Sequence, residues 1–248
     1  EVTYSGIINE AFCYLDIDPE QRNEKFGEFI INVDKRHAFI TPDYALLTRE
    51  AGWYPETGVT FSATNFGWNR MYFTNFSLEV QTDTALQVVS QGSFEKTAPG
   101  QFKYVNDNPL TQISLAIGKY EHKSIEVSGI EFGVWNIKGH DFYSNSLTEI
   151  TDTIPALLEE RLRDFLRTYN LHYPFKRFNI VEVPSQFKTY ERTWTFAHET
   201  VQPEQVFIQE KGYLLRDFDF NNQVKQIKRW SQRSGESLTD KDLQIRVF

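Results

Sequence analysis

Cysteine is almost absent from this sequence, since Cys13 is the only one among 248 residues. A single cysteine excludes an intrachain disulfide and any cysteine-rich metal site. Its apolar neighbours favour a buried and inert thiol rather than a nucleophile. Long hydrophobic runs are missing as well, because no stretch reaches the roughly 18 apolar residues that a membrane-spanning helix requires.

Basic residues are outnumbered, with 26 against 34 acidic ones and a net charge of −8. This balance argues against non-specific nucleic-acid binding. A hydrophobic content of 40% with 24% charged residues excludes wholesale disorder. Methionine occurs only as Met71, and the chain opens at Glu1 without a signal peptide. We therefore expect a mature fragment or an excised region of a longer protein.

Strand patterns dominate the first half of the chain. Apolar and polar residues alternate along residues 76–81 and 113–117, as in half-buried strands. Gln91-Gly92 predicts a turn, and Gly129 predicts a turn between paired strands over residues 125–135. Short apolar runs predict two further strands, at residues 28–33 and 86–89.

Helical periodicity begins beyond residue 147. Apolar residues recur at helical spacing over residues 150–169, with Thr148 or Thr151 as the predicted N-cap. Pro155 is tolerated in the first turns, and Asn170 is the predicted stop. Two strands and a second helix follow, at residues 178–183, 205–208 and 221–233.

These patterns predict an α+β protein built from two units. We expect residues 1–147 to form a mainly antiparallel β-sandwich or saddle-like sheet. We expect residues 148–248 to form a small α/β unit, because a long helix there is followed by alternating strand and helix patterns.

The helix predicted at residues 221–233 is basic. It carries Lys225, Lys228, Arg229 and Arg233 and no acidic residue. A solvated helix face accounts for this pattern. The alternative is a contact with an acidic protein or with anionic lipid headgroups.

Catalytic motifs are incomplete or missing. His198-Glu199 begins like the zinc signature His-Glu-x-x-His, but Gln202 replaces the second histidine and Pro203 opposes a helix. The sequence has neither a Gly-x-Ser-x-Gly nucleophile elbow nor a glycine-rich phosphate loop. Carboxylates are plentiful, and Glu159-Glu160 lies on a helix face, but no pattern in the sequence places two of them together as a glycosidase site requires.

An aromatic cluster offers a candidate carbohydrate-binding face. Its members are Trp53, Tyr54, Phe66, Trp68 and Tyr72. Aromatic side chains at this density usually form a core, whereas exposed ones would stack on sugar rings. Both readings stay open at this point.

Residues 173–184 read Tyr-Pro-Phe-Lys-Arg-Phe-Asn-Ile-Val-Glu-Val-Pro. This stretch resembles a segment of the aminopeptidase N family of zinc metallopeptidases, in which a helix leads into a strand of this kind. Further matches occur in the family's order at residues 53–56, 76–80, 86–92, 109–120 and 206–215. The resemblance spans most of residues 50–215. It implies a β-rich N-terminal domain followed by the start of a thermolysin-like catalytic domain.

The family's catalytic motifs do not occur in this chain. Its Gly-x-Met-Glu-Asn strand should follow Pro184, but residues 185–193 lack it and the only methionine is Met71. The helix at residues 221–233 stands where the zinc helix is expected, yet it has no histidine and its cations would repel a metal dication. The resemblance therefore implies no catalytic residue, no metal ligand and no cofactor here.

Degenerate peptidase-like regions of this kind also resemble extracytoplasmic parts of ABC-transporter permease proteins. This implies a non-catalytic module on the periplasmic side of the cytoplasmic membrane, within a parent membrane protein. We expect it to bind a protein or peptide, to have no nucleic-acid partner and to contain no membrane span. Two alternatives stay open: the truncated front portion of a zinc aminopeptidase, and a carbohydrate-binding β-sandwich.

Overall fold

A computed structural model describes residues 3, 5–7, 39–55, 72–141, 144–184, 187, 200–210 and 220–248. The strands in these ranges are β1 (Phe39–Ile40), β2 (Ala45–Leu47), β3 (Ser77–Gln81), β4 (Gln87–Ser90), β5 (Ser93–Ala98), β6 (Gln101–Val105), β7 (Leu115–Gly118), β8 (Tyr120–Val127), β9 (Ile130–Ile137), β10 (Arg177–Val183), β11 (Val201–Gln202) and β12 (Gln205–Gln209). The helices are α1 (Ile154–Tyr169), α2 (Phe220–Ser234) and α3 (Asp240–Val247). The strand predicted at residues 28–33 lies outside the described residues, as do Cys13, Phe66, Trp68 and His198-Glu199.

The strands form three open sheets, in the orders β1-β2-β7-β4, β3-β6-β5 and β11-β12-β10-β9-β8. Only β9–β10 and β10–β12 are parallel among the named pairs. Mostly antiparallel sheets with separate helices confirm the predicted α+β class. The five-stranded sheet takes β8 and β9 from before residue 147 and the other strands from after it. The domain boundary predicted there stays a prediction.

The four-stranded sheet lies between the other two sheets and contributes to two hydrophobic cores. In β4, Val88 packs into a core shared with the three-stranded sheet, and Val89 into one shared with the five-stranded sheet. In β2, Leu47 packs into the first of these cores and Leu46 into the second. Successive side chains of a strand point to opposite faces, so a strand covered on both faces is apolar at consecutive positions. This arrangement explains why Val88-Val89 and Leu46-Leu47 are apolar at consecutive positions.

Helix α1 begins later than predicted. A 3-10 turn covers Thr148–Ile150, and the N-cap is Thr153, which makes no capping bond through its side chain. The predicted caps Thr148 and Thr151 are therefore wrong. The cause is local, because the Thr151 hydroxyl donates to the Leu147 carbonyl at 3.2 Å and fully buried Ile150 anchors the turn.

Other turn and end signals are confirmed. Pro155 lies in the first turn of α1, and Asn170 ends the helix in the left-handed region with φ 53°. The β8–β9 hairpin turns at Ser128 and Gly129, with φ values of 53° and 76°. Positive φ at both central residues is the turn that matches the strand twist.

Helices α2 and α3 complete the described chain. The helix predicted at residues 221–233 is confirmed as α2, with Ser231 buried and Trp230 76% exposed. Helix α3 was not predicted, and a reciprocal cap between Thr239 and Asp242 starts it. None of the helices in the described ranges is long and apolar enough to cross a membrane.

Candidate functional site at the open sheet edge

Strand β8 ends the five-stranded sheet, and no strand in the described part of the chain pairs with its outer side. We call this side the β8 edge. The strand keeps an unbroken register with β9 over all eight residues, and residues 121–126 are exposed. A two-residue turn makes Val127 and Ile130 a hydrogen-bonded pair, and such pairs alternate along an antiparallel ladder. The backbone N–H and C=O groups of His122, Ser124 and Glu126 therefore point outward.

An aromatic platform covers one face of this edge. The His122 ring stacks on Trp135 with centroids 3.9 Å apart, and Trp135 Nε1 donates to Asn179 Oδ1 at 3.2 Å. Gly133 permits this approach, because a Cβ there would lie 2.4 Å from Asn179 Oδ1. Burial lowers the pKa of His122, and the Glu131 carboxylate only partly opposes that shift. The platform therefore favours a neutral imidazole.

On the opposite face, Lys123 is held by its neighbours. Its ammonium group donates to the Asp141 carboxylate and, at 2.8 Å, to the Ser144 hydroxyl. Partial burial opposes ionisation of Asp141, but the bonds from Lys123 and Ser144 outweigh it and lower the Asp141 pKa. The lysine is thereby drawn toward the loop that follows β9 and away from the edge.

A buried carboxylate lies where the parallel strands β9 and β10 end. Glu182 is 8% exposed; its Oε2 accepts the Ile137 N–H at 2.6 Å, and its Oε1 lies 2.9 Å from His140 Nδ1. Burial raises the pKa of Glu182, and the two bonds partly offset this. The carboxyl ends of parallel strands are a common location for sites. A carboxylate–imidazole pair there can hold or pass a proton.

Two tyrosines extend this cluster to the start of β8. The Tyr120 hydroxyl donates to the Glu182 backbone carbonyl at 2.8 Å. The Tyr44 hydroxyl lies 3.1 Å from the Tyr120 hydroxyl. Burial raises the pKa of both phenols. They are therefore protonated hydrogen-bonding groups at neutral pH and poor nucleophiles.

A second buried glutamate lies at a contact that we call the Glu204 junction. Glu204 is 3% exposed; its Oε2 accepts the Gly92 N–H at 2.8 Å and lies 3.5 Å from Arg177 Nη1. Arg177 also reaches Asp107 Oδ2 at 3.2 Å and Ser93 Oγ at 3.3 Å. The junction ties the five-stranded sheet to the turn after β4 and to the three-stranded sheet. Burial raises the pKa of Glu204 against the opposing effects of Gly92 and Arg177.

The aromatic residues singled out as a sugar-binding face are not assembled into one in the described part of the chain. Trp53 and Tyr54 meet edge to face at 5.2 Å, and Trp53 packs against a core. The Tyr54 hydroxyl accepts the Ile113 N–H at 3.4 Å. Tyr72 is 53% exposed. Trp53 and Tyr54 therefore contribute to packing.

The other predicted polar features lie at the surface. Glu159 and Glu160 are exposed on α1, and so are the four cations of α2. Within the ranges that the structure describes, no group of three or more His, Cys, Asp or Glu side chains could hold a metal ion.

Sequence reasoning missed the Glu182 cluster, although one signal was present. Glu182 interrupts the apolar run 180–183, and a charged residue inside a buried strand usually has a specific partner. The partner, His140, lies on a different segment, so the pair is visible only once β9 and β10 are aligned.

No protein-family model matches the chain, and no curated protein matches it either. Kinship with the aminopeptidase N family therefore stays a prediction from the ordered motifs.

Proposed function

We propose that this chain is a non-catalytic, peptidase-like extracytoplasmic module of an ABC-transporter permease protein, and that it binds a protein or peptide along the β8 edge. The observation that carries the binding is that edge, with its outward-facing backbone groups. The ordered motif resemblance supports the peptidase-like and extracytoplasmic parts of the proposal.

An extended segment can add to a free sheet edge through main-chain hydrogen bonds, with alternate side chains over each face. Proteins commonly block such edges with proline, bulges or projecting lysines. Strand β8 has no proline and no register shift, and its one lysine, Lys123, is bonded to Asp141 and Ser144. Helix α1 lies close to β8, but residues 121–126 stay exposed and no described strand occupies the edge, so a further strand can add there.

Charge narrows the choice of ligand. Glu121 and Glu126 are exposed on β8, and Glu131 lies directly opposite Glu126 on β9. Because Lys123 is already paired, the free charge along the edge is negative. We expect the bound segment to be extended and to carry basic residues.

Amide hydrogen exchange tests this mode directly. A linear peptide selected from a displayed random library against the purified chain serves as the probe. On binding, exchange of the His122, Ser124 and Glu126 amides should slow, because their N–H groups gain partners. The amides of Glu121 and Lys123 already bond β9 and should change little. Binding without this alternation would overturn the proposed edge.

Ser124→Pro removes one outward N–H and leaves the β8–β9 ladder bonds in place, whereas Ser124→Thr keeps that N–H. We expect the proline variant to lose at least about tenfold in peptide affinity, and the threonine variant to bind normally. Circular dichroism checks that both variants fold. Equal binding by the two variants would contradict the proposal. Cleavage of the peptide by the zinc-loaded chain would contradict its non-catalytic part.

A further inference from the structure

Helices α2 and α3 enclose a groove that lies apart from the β8 edge. Its volume is about 630 Å³, within the range of ligand-sized pockets. Ile227 and Trp230 of α2 supply its large apolar side chains, and Glu236 and Arg246 also line it. We call it the α2–α3 groove.

The wall formed by Glu236 and Arg246 is electrically balanced. Arg246 Nη1 reaches Glu236 Oε2 at 3.2 Å, and its second guanidinium nitrogen reaches the other carboxylate oxygen. This pair fixes the wall and leaves little net charge there. The charge that a ligand meets must therefore come from α2.

Helix α2 supplies that charge on the side next to Trp230. It has no acidic residue, and its four cations make no ion pair with any carboxylate in the described ranges; they are Lys225, Lys228, Arg229 and Arg233. With about 100° between successive residues, Arg229 and Arg233 form a stripe that adjoins Trp230 on the side away from Ile227. A net charge of −8 for the whole chain makes this cationic rim a local reversal of sign.

Trp230 stands between the groove and the cations. It is 76% exposed, whereas its neighbour Ser231 is 4% exposed. A large exposed indole beside arginines is the composition of an interface centre. A ligand that covers Trp230 would touch the apolar groove on one side and the arginines on the other.

We propose that the α2–α3 groove binds an acidic segment of a partner protein. An apolar side chain of that segment seats against Ile227 and Trp230, and its carboxylates pair with Arg229 and Arg233. A concave site fits a protruding segment better than a flat lipid surface. Val224 and Ile227 are half-buried, so only Trp230 is left to enter a bilayer. This proposal does not depend on peptide binding at β8.

The probe is a labelled synthetic peptide rich in glutamate and carrying phenylalanine and leucine, with fluorescence anisotropy as the readout. We expect saturable binding to the full chain, weakening as salt increases because the pairs are exposed. Trp230→Ala should weaken binding about tenfold or more. The double variant Arg229→Gln with Arg233→Gln should weaken it about fivefold at low salt, with the difference shrinking at high salt.

Matched controls come from α1. Tyr169→Ala removes another exposed aromatic ring, and Arg161→Gln with Arg163→Gln removes the same charge from another helix. Neither should change the affinity by more than about twofold. A peptide with glutamine in place of glutamate, and a second one with serine in place of its apolar residues, should both bind more weakly.

Three results would overturn the proposal. The first is no binding of the acidic peptide. The second is binding that the α2 variants do not weaken more than the α1 controls do. The third is stronger association with phosphatidylglycerol vesicles than with the peptide, lost on Trp230→Ala, which would assign the surface to lipid. Loss of β8 binding in Ser124→Pro with normal acidic-peptide binding would leave this inference intact.

Discussion

Glu204 and Glu182 are both buried, and each accepts one backbone N–H, but their cationic partners differ. Glu204 bonds the Gly92 N–H and faces Arg177, whose guanidinium stays charged throughout the accessible pH range. The Glu204 junction therefore keeps its cation whatever the pH. It joins segments of different sheets and lies away from the edge where a ligand would bind.

Glu182 instead lies beside His140, an imidazole that is charged only when it is protonated. Its backbone bond, to Ile137, lies at the end of a parallel strand and close to the open edge. The partner side chain, more than burial, therefore decides whether a buried carboxylate keeps a charged partner as the pH changes.

The largest effect is expected from Arg177→Met. It leaves Glu204 buried with only the Gly92 N–H, and breaking a buried pair from one side typically costs about 4 kcal/mol. Urea denaturation measures the loss. Because removal of the cation raises the Glu204 pKa further, the loss should be largest above that pKa and shrink as the pH falls and Glu204 is protonated.

Arg161→Met provides the comparison for that variant. Arg161 lies 4.0 Å from Asp164 on exposed α1. Its loss should cost less than about 0.5 kcal/mol. Similar costs for the two methionine variants would mean that the junction does not stabilise the fold.

A smaller loss is expected from Gly92→Ala, which attacks the same junction through the backbone. Gly92 has φ 92°, and a Cβ there would lie 2.5 Å from the Val105 carbonyl oxygen. We expect a cost of about 2–3 kcal/mol in the free energy of unfolding. Gly129→Ala, at φ 76° in open space, should cost about 1 kcal/mol. Thermal and urea unfolding of both variants measure the difference, and equal losses would remove the steric argument.

The smallest effect is expected from Glu182→Gln. The amide oxygen can still accept the Ile137 N–H, and loss of the His140 contact is offset by relief of a buried charge, so the change at neutral pH should stay below about 1 kcal/mol. The sign of the pH dependence is the sharper test. A carboxyl with a raised folded-state pKa contributes stability that is full below its unfolded pKa and lost as pH rises through the folded value.

Wild-type stability should therefore fall relative to Glu182→Gln as the pH rises from the ordinary glutamate range through the raised pKa of Glu182. Urea midpoints across mildly acidic pH give this difference. Glu159→Gln, on the exposed face of α1, should track wild type. A pH profile for Glu182→Gln that parallels the wild type would place the titrating charge elsewhere.

Local patterns in the sequence predicted most individual elements, because their causes lie within a few residues. The hairpin at Gly129, the strand ending at Val183 and the stop at Asn170 all follow from turn chemistry and periodicity. Helix α3 was missed even though its cap, Thr239 with Asp242, is local, because a helix of eight residues shows little periodicity.

Long-range features were less accessible to sequence reasoning. Periodicity does not reveal that Val88 and Val89 enter different cores, or that β9 pairs in parallel with β10 across α1. The Glu182–His140 pair depends on that strand alignment, so it was missed for the same reason. The basic character of α2 was readable directly, whereas the groove beside it required the position of α3.

The pairing of β9 with β10 has a consequence during translation. The β8–β9 hairpin leaves the ribosome before α1, and its parallel partner follows only after that helix. A two-stranded hairpin is marginally stable in water, and parallel pairing must close a long loop. The β9 side of the nascent hairpin therefore stays unpaired until β10 has been synthesised, whereas no described strand covers the β8 side even in the folded chain.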